Sequence, residues 1–212
     1  MKTMDNPTND EEESLEGPTM NLAIANVVFY VFTCIIGGQI FYTGTRAIVY
    51  FGFSVHNFLA GLFWTPLTAI FTHGGVVHIM SNMIFLFVYG FRLEERDYTA
   101  KGIYFAYIFT GILSTILSGP LIGVNVISVG ASGAIFGLLG VNAGIERREM
   151  TGNYRPMILG AVVLFFLTSS SPNTNIFAHL FGLILGFFLG NSSYFGKYKF
   201  LGVKNLDTKQ FQ

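Results

Sequence analysis

Residues 176–190 read IFAHLFGLILGFFLG, an apolar run with a single ionisable side chain, His179. Extended to Phe195, the run has about the 20 residues that a helix needs to cross a bilayer. Gly182, Gly186 and Gly190 recur at a spacing of four. On a helix that spacing makes a flat groove along one face, where a second helix can approach closely. His179 lies three residues before Gly182, near the same face and about one turn from the groove. A buried histidine there reads either as a packing residue held by hydrogen bonds or as a base within reach of a close-packed partner helix. Ionisable groups inside spans are costly and point to function by default.

Similar runs occur throughout the chain. Spans are expected at about 20–41, 76–91, 102–118, 132–145, 156–170 and 176–195. Composition agrees: 51% of the 212 residues are hydrophobic and 11% charged, against about 25% charge in ordinary soluble domains. Phe supplies 23 residues and Gly 25, a mixture suited to helices packed in lipid. The fold class expected is an all-α membrane protein of six transmembrane helices. Residues 1–19 read as a disordered acidic tail and 196–212 as a basic tail, with the membrane domain at 20–195 between them. Residues 42–75, interrupted by Gly44, Gly52, Gly61 and Pro66 and carrying Trp64, read as a long interfacial loop. The acidic stretch from Asp10 to Glu16 stands where a signal peptide would carry basic residues, so no cleavable signal peptide is expected. Cys34, the lone cysteine, excludes an intrachain disulfide and fits a buried small hydrophobe.

Six spans place both termini on one side. Of the 12 basic residues, 11 fall in 1–19, 92–101, 146–155 and 196–212, Arg46 being the exception. The excess of Lys and Arg in these segments predicts that they, and both termini, are cytoplasmic. All 12 acidic residues lie in the same segments, so the external half has no carboxylate side chain. That argues against an intramembrane aspartyl pair, an H-E-x-x-H zinc site and a Ser-His-Asp triad, and leaves a serine–histidine dyad. The net charge of +0 by itself argues neither for nor against nucleic acid.

Ser132 opens one run within Gly130-Ala131-Ser132-Gly133. Its small neighbours leave room for a second helix, and a helix start offers unpaired N–H groups and a positive dipole end to a developing oxyanion. The same residue also reads as a simple N-cap serine beside a small-residue packing motif. The run from Ser132 continues through Gly137, Gly140 and Gly144, and its small face is the natural partner for the groove of Gly182 and Gly186. His78 and Asn82, four apart on one helical face, are both donors suited to an oxyanion hole. His73, just before that span, reads as a turn residue that helps to set the helix entry. Ser132 and His78 stand 14 residues from the cytoplasmic charges Glu146 and Arg92, and His179 stands 18 from Lys197. These separations give depths of about 21 Å, about 21 Å and about 27 Å, so three helices bring polar groups to similar levels below the external surface.

The combination resembles the rhomboid family of intramembrane serine proteases. The matching pieces are H-x-x-x-x-H-x-x-x-N (His73, His78, Asn82), G-A-S-G (Ser132) and A-H-x-x-G-x-x-x-G (His179, Gly182, Gly186), with Gly90-Phe91-Arg92-Leu93-Glu94 closing the second span. The similarity covers roughly residues 20–195. It implies a six-helix rhomboid-like bundle in which Ser132 is nucleophile and His179 base, with the Ser132 N–H, His78 and Asn82 as oxyanion donors. It also implies an enzyme without cofactor or metal that cleaves transmembrane segments of other proteins near their external ends. The implied partners are those substrates and the lipid bilayer, not nucleic acid, and the implied setting is the cell membrane. A non-catalytic relative that binds membrane proteins is the alternative, although such relatives typically lack the serine or the histidine. The family often carries Trp-Arg where this chain has Trp64-Thr65, and tyrosine one turn after the serine, where this chain has Phe136.

Overall fold

The computed structural model describes residues 17–96, 98–149, 159 and 174–192. Among these residues the architecture is helical: α1 (Pro18–Ile36), α2 (Thr45–Phe51), α3 (Val55–Leu59), α4 (Thr65–Ala69), α5 (Val76–Glu94), α6 (Ala100–Ile122), α7 (Ser132–Glu149) and α8 (Ile176–Asn191). Extended pairing among them is confined to two isolated bridges, Tyr42 with Gly75 and Phe53 with Ser128. α1, α5 and α6 are long and apolar enough to cross a membrane. Large hydrophobics crowd the outward faces, with Val28, Ile35, Val77 and Ile84 all more than half exposed. Burying such surface in lipid is what an integral membrane protein requires.

α7 is the central helix, and every residue from Gly133 to Ile145 is buried. It packs on α8 along its length and also on α5 and α6. The interior around it is unusually polar and small. The Thr110, Ser114 and Ser118 hydroxyls on α6 donate back to the carbonyls of Ala106, Gly111 and Thr115. That habit lets polar side chains sit inside a bundle without orphaned donors. Asn26 on α1 and Tyr107 on α6 bond at 2.9 Å with both side chains fully buried. At the far end of α7, Arg92 of α5 and Arg96, just beyond the end of α5, pair with Glu146, and Arg148 donates to the Ser192 carbonyl at the end of α8. Glu94 accepts the Thr19 N–H at 2.8 Å, filling one of the unpaired donors at the start of α1.

Several boundaries differ from the sequence expectation. The first run, expected over 20–41, ends as a helix at Ile36, because Gly37 closes it and Gly38 turns the chain at φ 68. The runs expected at 76–91, 102–118 and 132–145 are longer, as α5, α6 and α7. α7 continues through Glu146–Glu149, where ion pairs with Arg92 of α5 and with Arg96 just beyond it hold those charges. The last helix closes at Asn191 with Ser192 as its cap, and residues 193–195 of the expected span lie outside the described residues. Residues 42–75 are not a featureless loop but carry α2, α3 and α4. Trp64 anchors them by donating its indole N–H to the Tyr50 carbonyl at 3.0 Å, and the Thr65 hydroxyl is satisfied by the Leu62 carbonyl at 2.7 Å. The span expected at 156–170 and both expected tails lie outside the described residues, apart from Leu159 and the short stretch 17–19.

Candidate active site

The geometry begins with glycine. A Cβ at Gly182 would collide with the Gly133 carbonyl oxygen, one at Gly186 with the Gly137 carbonyl, and one at Gly190 with the Val141 carbonyl. The relation is reciprocal: a Cβ at Gly140 would lie 2.7 Å from the Phe187 nitrogen and 3.0 Å from the Gly186 carbonyl carbon. α7 and α8 therefore run backbone against backbone in a four-residue register, as their glycine spacing predicts. At the end of this ladder Gly133 and Gly182 meet, each next to or one turn from a polar residue, Ser132 and His179. The Phe136 ring, one turn into α7, stacks on the His179 ring with centroids 4.4 Å apart and planes at 20°. Phe thus fills the stacking place that family resemblance gives to tyrosine. His179 is 4% exposed, and Ser132 is half-buried.

The segment before Ser132 is fixed independently. Ser128 exchanges two backbone hydrogen bonds with Phe53, at 2.7 and 3.0 Å, and the Gly130 N–H donates to the Ala69 carbonyl at 2.9 Å. Gly130 adopts φ 121, a conformation that excludes side-chain-bearing residues. A Cβ there would also lie 2.7 Å from His78 Nε2 and 3.6 Å from Asn82 Nδ2. The Ala131 carbonyl accepts the Ile135 N–H at 3.0 Å, which makes Ser132 the first residue inside α7. Its N–H consequently has no partner within the helix.

α5 supplies the facing donors. The Gly74 N–H points to His78 Nδ1 at 3.5 Å. A neutral ring accepting there carries its proton on Nε2, the nitrogen that faces Gly130. Asn82 is 5% exposed, and its amide nitrogen has no hydrogen-bond partner among the described residues. A buried amide left unpaired costs about 1–3 kcal/mol, so this N–H is disposed to donate to a water or a bound ligand. His73 is fully buried, with Nδ1 at 3.1 Å from the Phe71 carbonyl and its ring edge-on to His78 at 5.1 Å. Burial first, and His78 second, hold its pKa down at about 3, so it is neutral at physiological pH. Its carbonyl accepts from Thr43 at 2.7 Å, and Thr43 in turn meets Thr33 of α1 at 3.1 Å, which ties the entry of α5 to α1.

The structure therefore brings Ser132 and His179 to one end of one helix pair, and sets His78 and Asn82 against Gly130, two residues before Ser132. The described carboxylates Glu94, Glu95, Glu146 and Glu149 close the opposite ends of α5 and α7. Among the described residues no three His, Cys, Asp or Glu side chains converge as a metal site. An arrangement of hydroxyl, imidazole and unpaired N–H donors suits acyl transfer. Sequence reading took Gly130 only as a small neighbour of Ser132, not as a turn residue, and missed Asn175 altogether. Gly130 carried a signal, since glycine is the default residue where a chain must turn at positive φ. Asn175 carried none, standing in a polar stretch that reads as loop, yet it caps α8 by accepting the Ala178 N–H at 3.1 Å.

A family model described as the Rhomboid domain matches residues 60–193. RHOMBOID-like protein 4 of Arabidopsis thaliana is 37% identical over 134 residues, covering 60% of this chain and 33% of that protein. Rhomboid-like protein 11, chloroplastic, of the same organism is 34% identical over 113 residues, covering 51% and 38%. Rhomboid-like protease 1 of Toxoplasma gondii is 28% identical over 190 residues, covering 84% and 64%. The chain thus spans between about a third and two thirds of the length of these relatives.

Proposed function

The chain belongs to the rhomboid family, and on that premise we propose that it is an intramembrane serine endopeptidase with Ser132 as nucleophile and His179 as base. The observation that carries this reading is the glycine ladder between α7 and α8, which delivers both residues to the same end of one close-packed pair. In the reaction, Ser132 Oγ attacks a peptide carbonyl while its proton passes to His179. The oxyanion forms beside the Ser132 N–H, with His78 and the unpartnered Asn82 amide as further donors. His179 then gives the proton to the leaving amine. Water, activated by the same imidazole, releases the acyl group and restores the serine. Neither metal nor cofactor enters these steps.

The substrates on this reading are transmembrane segments of other proteins, cut near their external ends. We place the protein in the cell membrane, and the distribution of basic residues supports both termini in the cytoplasm and residues 42–75 on the external side. Purified protein in detergent or liposomes, assayed with a fluorogenic transmembrane substrate, tests the reading. Ser132→Ala and His179→Ala should each abolish cleavage and leave the protein folded. The double variant should be no worse than either single one, because the two act as a unit. Cleavage retained by purified Ser132→Ala would falsify the assignment.

A further inference from the structure

The glycine ladder stops at the contact between Gly133 and Gly182. His179 lies almost a turn beyond it, where backbone packing alone no longer sets its position. One side chain takes over there. Asn175, four residues before His179, makes three side-chain hydrogen bonds, with both N–H groups and its oxygen engaged. Its oxygen accepts the Ala178 N–H at 3.1 Å. Its NH₂ group donates to the Ser118 hydroxyl of α6 at 2.9 Å and to the Ser128 hydroxyl at 3.1 Å. Ser128 stands four residues before Ser132, in the segment clamped to Phe53 by two backbone bonds. The amide therefore ties the first turn of the helix that bears the histidine to the segment that bears the serine.

We propose that Asn175 is a positioning residue that sets the spacing of His179 and Ser132 through its bridge to Ser128 and Ser118. The proposal rests on the reading of Ser132 and His179 as the reacting pair. The chemistry of the bridge is directional. Ser118 spends its own proton on the Thr115 carbonyl at 3.0 Å, so its oxygen is left to accept and needs a donor opposite. Serine and aspartate cap helices about as well as asparagine does, and threonine somewhat less, but none brings an amide NH₂ to both hydroxyls. A cap alone would be satisfied by any of them, whereas the bridge is satisfied by asparagine.

Asn175→Ser separates the two roles, because it keeps a capping oxygen and is too short to reach Ser118 and Ser128. Ser128→Ala removes the bridge from the other side without touching the cap, and Ser128→Thr restores a hydroxyl. The experiment measures kcat and KM for a transmembrane substrate, melting temperature, and the rate at which a fluorophosphonate labels Ser132. A misplacement of up to 1 Å costs on the order of 10²-fold, so Asn175→Ser and Ser128→Ala should lower kcat and labelling rate about 10- to 100-fold, with KM little changed. Their melting temperatures should stay near wild type, the double variant should be no slower than Asn175→Ser, and Ser128→Thr should recover the rate. If both single variants keep wild-type kcat and labelling, or if their losses follow melting temperature and Ser128→Thr does not recover, Asn175 is a helix cap and the inference is overturned. Absence of Ser132 labelling in the wild-type protein would instead strike the reading on which it rests.

Discussion

Gly186 sits in the middle of the ladder, and a methyl group there is the sharpest perturbation of it. The added Cβ would lie 2.7 Å from the Gly137 carbonyl carbon and 3.0 Å from its Cα, with the carbonyl oxygen closer still. Ordinary van der Waals contact begins at 3.4 Å, so the carbon contact alone asks the two backbones to part by about 0.7 Å, and the oxygen asks for more. Backbone cannot swing aside as a flexible side chain can, so α8 must translate or tilt away from α7. The displacement reaches His179 two turns along the helix. At about 1 Å, misplacement of a reacting group costs on the order of 10²-fold in rate, equivalent to about 2.7 kcal/mol of barrier. Overpacking itself costs about 1–3 kcal/mol of stability. Gly186→Ala should therefore lose most activity and some thermal stability, and Gly186→Val more of each. Phe188→Leu, at a side chain 67% exposed, should change neither. The assay is initial cleavage rate of a transmembrane substrate in liposomes beside a thermal melt. If Gly186→Val kept wild-type rate and melting temperature, α7 and α8 would not meet through this face, and the geometric basis for pairing Ser132 with His179 would be refuted.

Other outcomes follow from the same geometry. Asn82→Ala should lower kcat by up to about 10²–10³-fold while leaving KM nearly unchanged, since an oxyanion donor acts where charge develops; an unchanged kcat would make Asn82 a packing residue. Cleavage should be indifferent to chelators, and a loss in EDTA that zinc restores would contradict the metal-free steps. Gly130→Ala should be inactive and destabilised, because the position combines φ 121 with a Cβ 2.7 Å from His78; a melt and a cleavage assay that both match wild type would show that this turn is not needed. His73 has a folded pKa of about 3, below its ordinary 6.5, so its contribution to stability is full above pH 6.5 and drains away as pH falls toward 3. His73→Phe should accordingly flatten part of the acid limb of melting temperature against pH, and an unchanged limb would count against that burial.

The parts of this fold legible in the sequence are those where a physical requirement leaves a periodic mark. Close backbone approach in lipid favours small residues at a spacing of four, and Gly182, Gly186 and Gly190 mark the α8 face, with Gly133, Gly137, Gly140 and Gly144 marking its partner. Polar groups in spans needed a reason, and Ser132, His179, His78 and Asn82 stood out for that cause. What hydropathy could not see was turning. Ile40 and Phe41 are apolar and carried the first run past its true end, yet they are 79% and 71% exposed beyond the Gly37–Gly38 turn. The short helices α2–α4 were hidden because glycine and proline interrupt them, although Trp64 and Thr68 bond back to the carbonyls of Tyr50 and Phe51. The continuation of α7 through Glu146–Glu149 goes with ion pairs to Arg92 of α5 and to Arg96 just beyond it, a long-range pairing with no local trace. Asn175 was invisible for the same reason, since its partners Ser118 and Ser128 are 57 and 47 residues away.

The central claim is that Ser132 is the nucleophile, activated by His179. Mass spectrometry of the protein after treatment with a fluorophosphonate tests it most directly, read beside cleavage of a transmembrane substrate by the same sample. The account predicts one covalent adduct, on the peptide containing Ser132, formed in step with the loss of cleavage and absent from His179→Ala. Full inhibition with the adduct on another residue, or cleavage that persists with Ser132 fully modified, would contradict it.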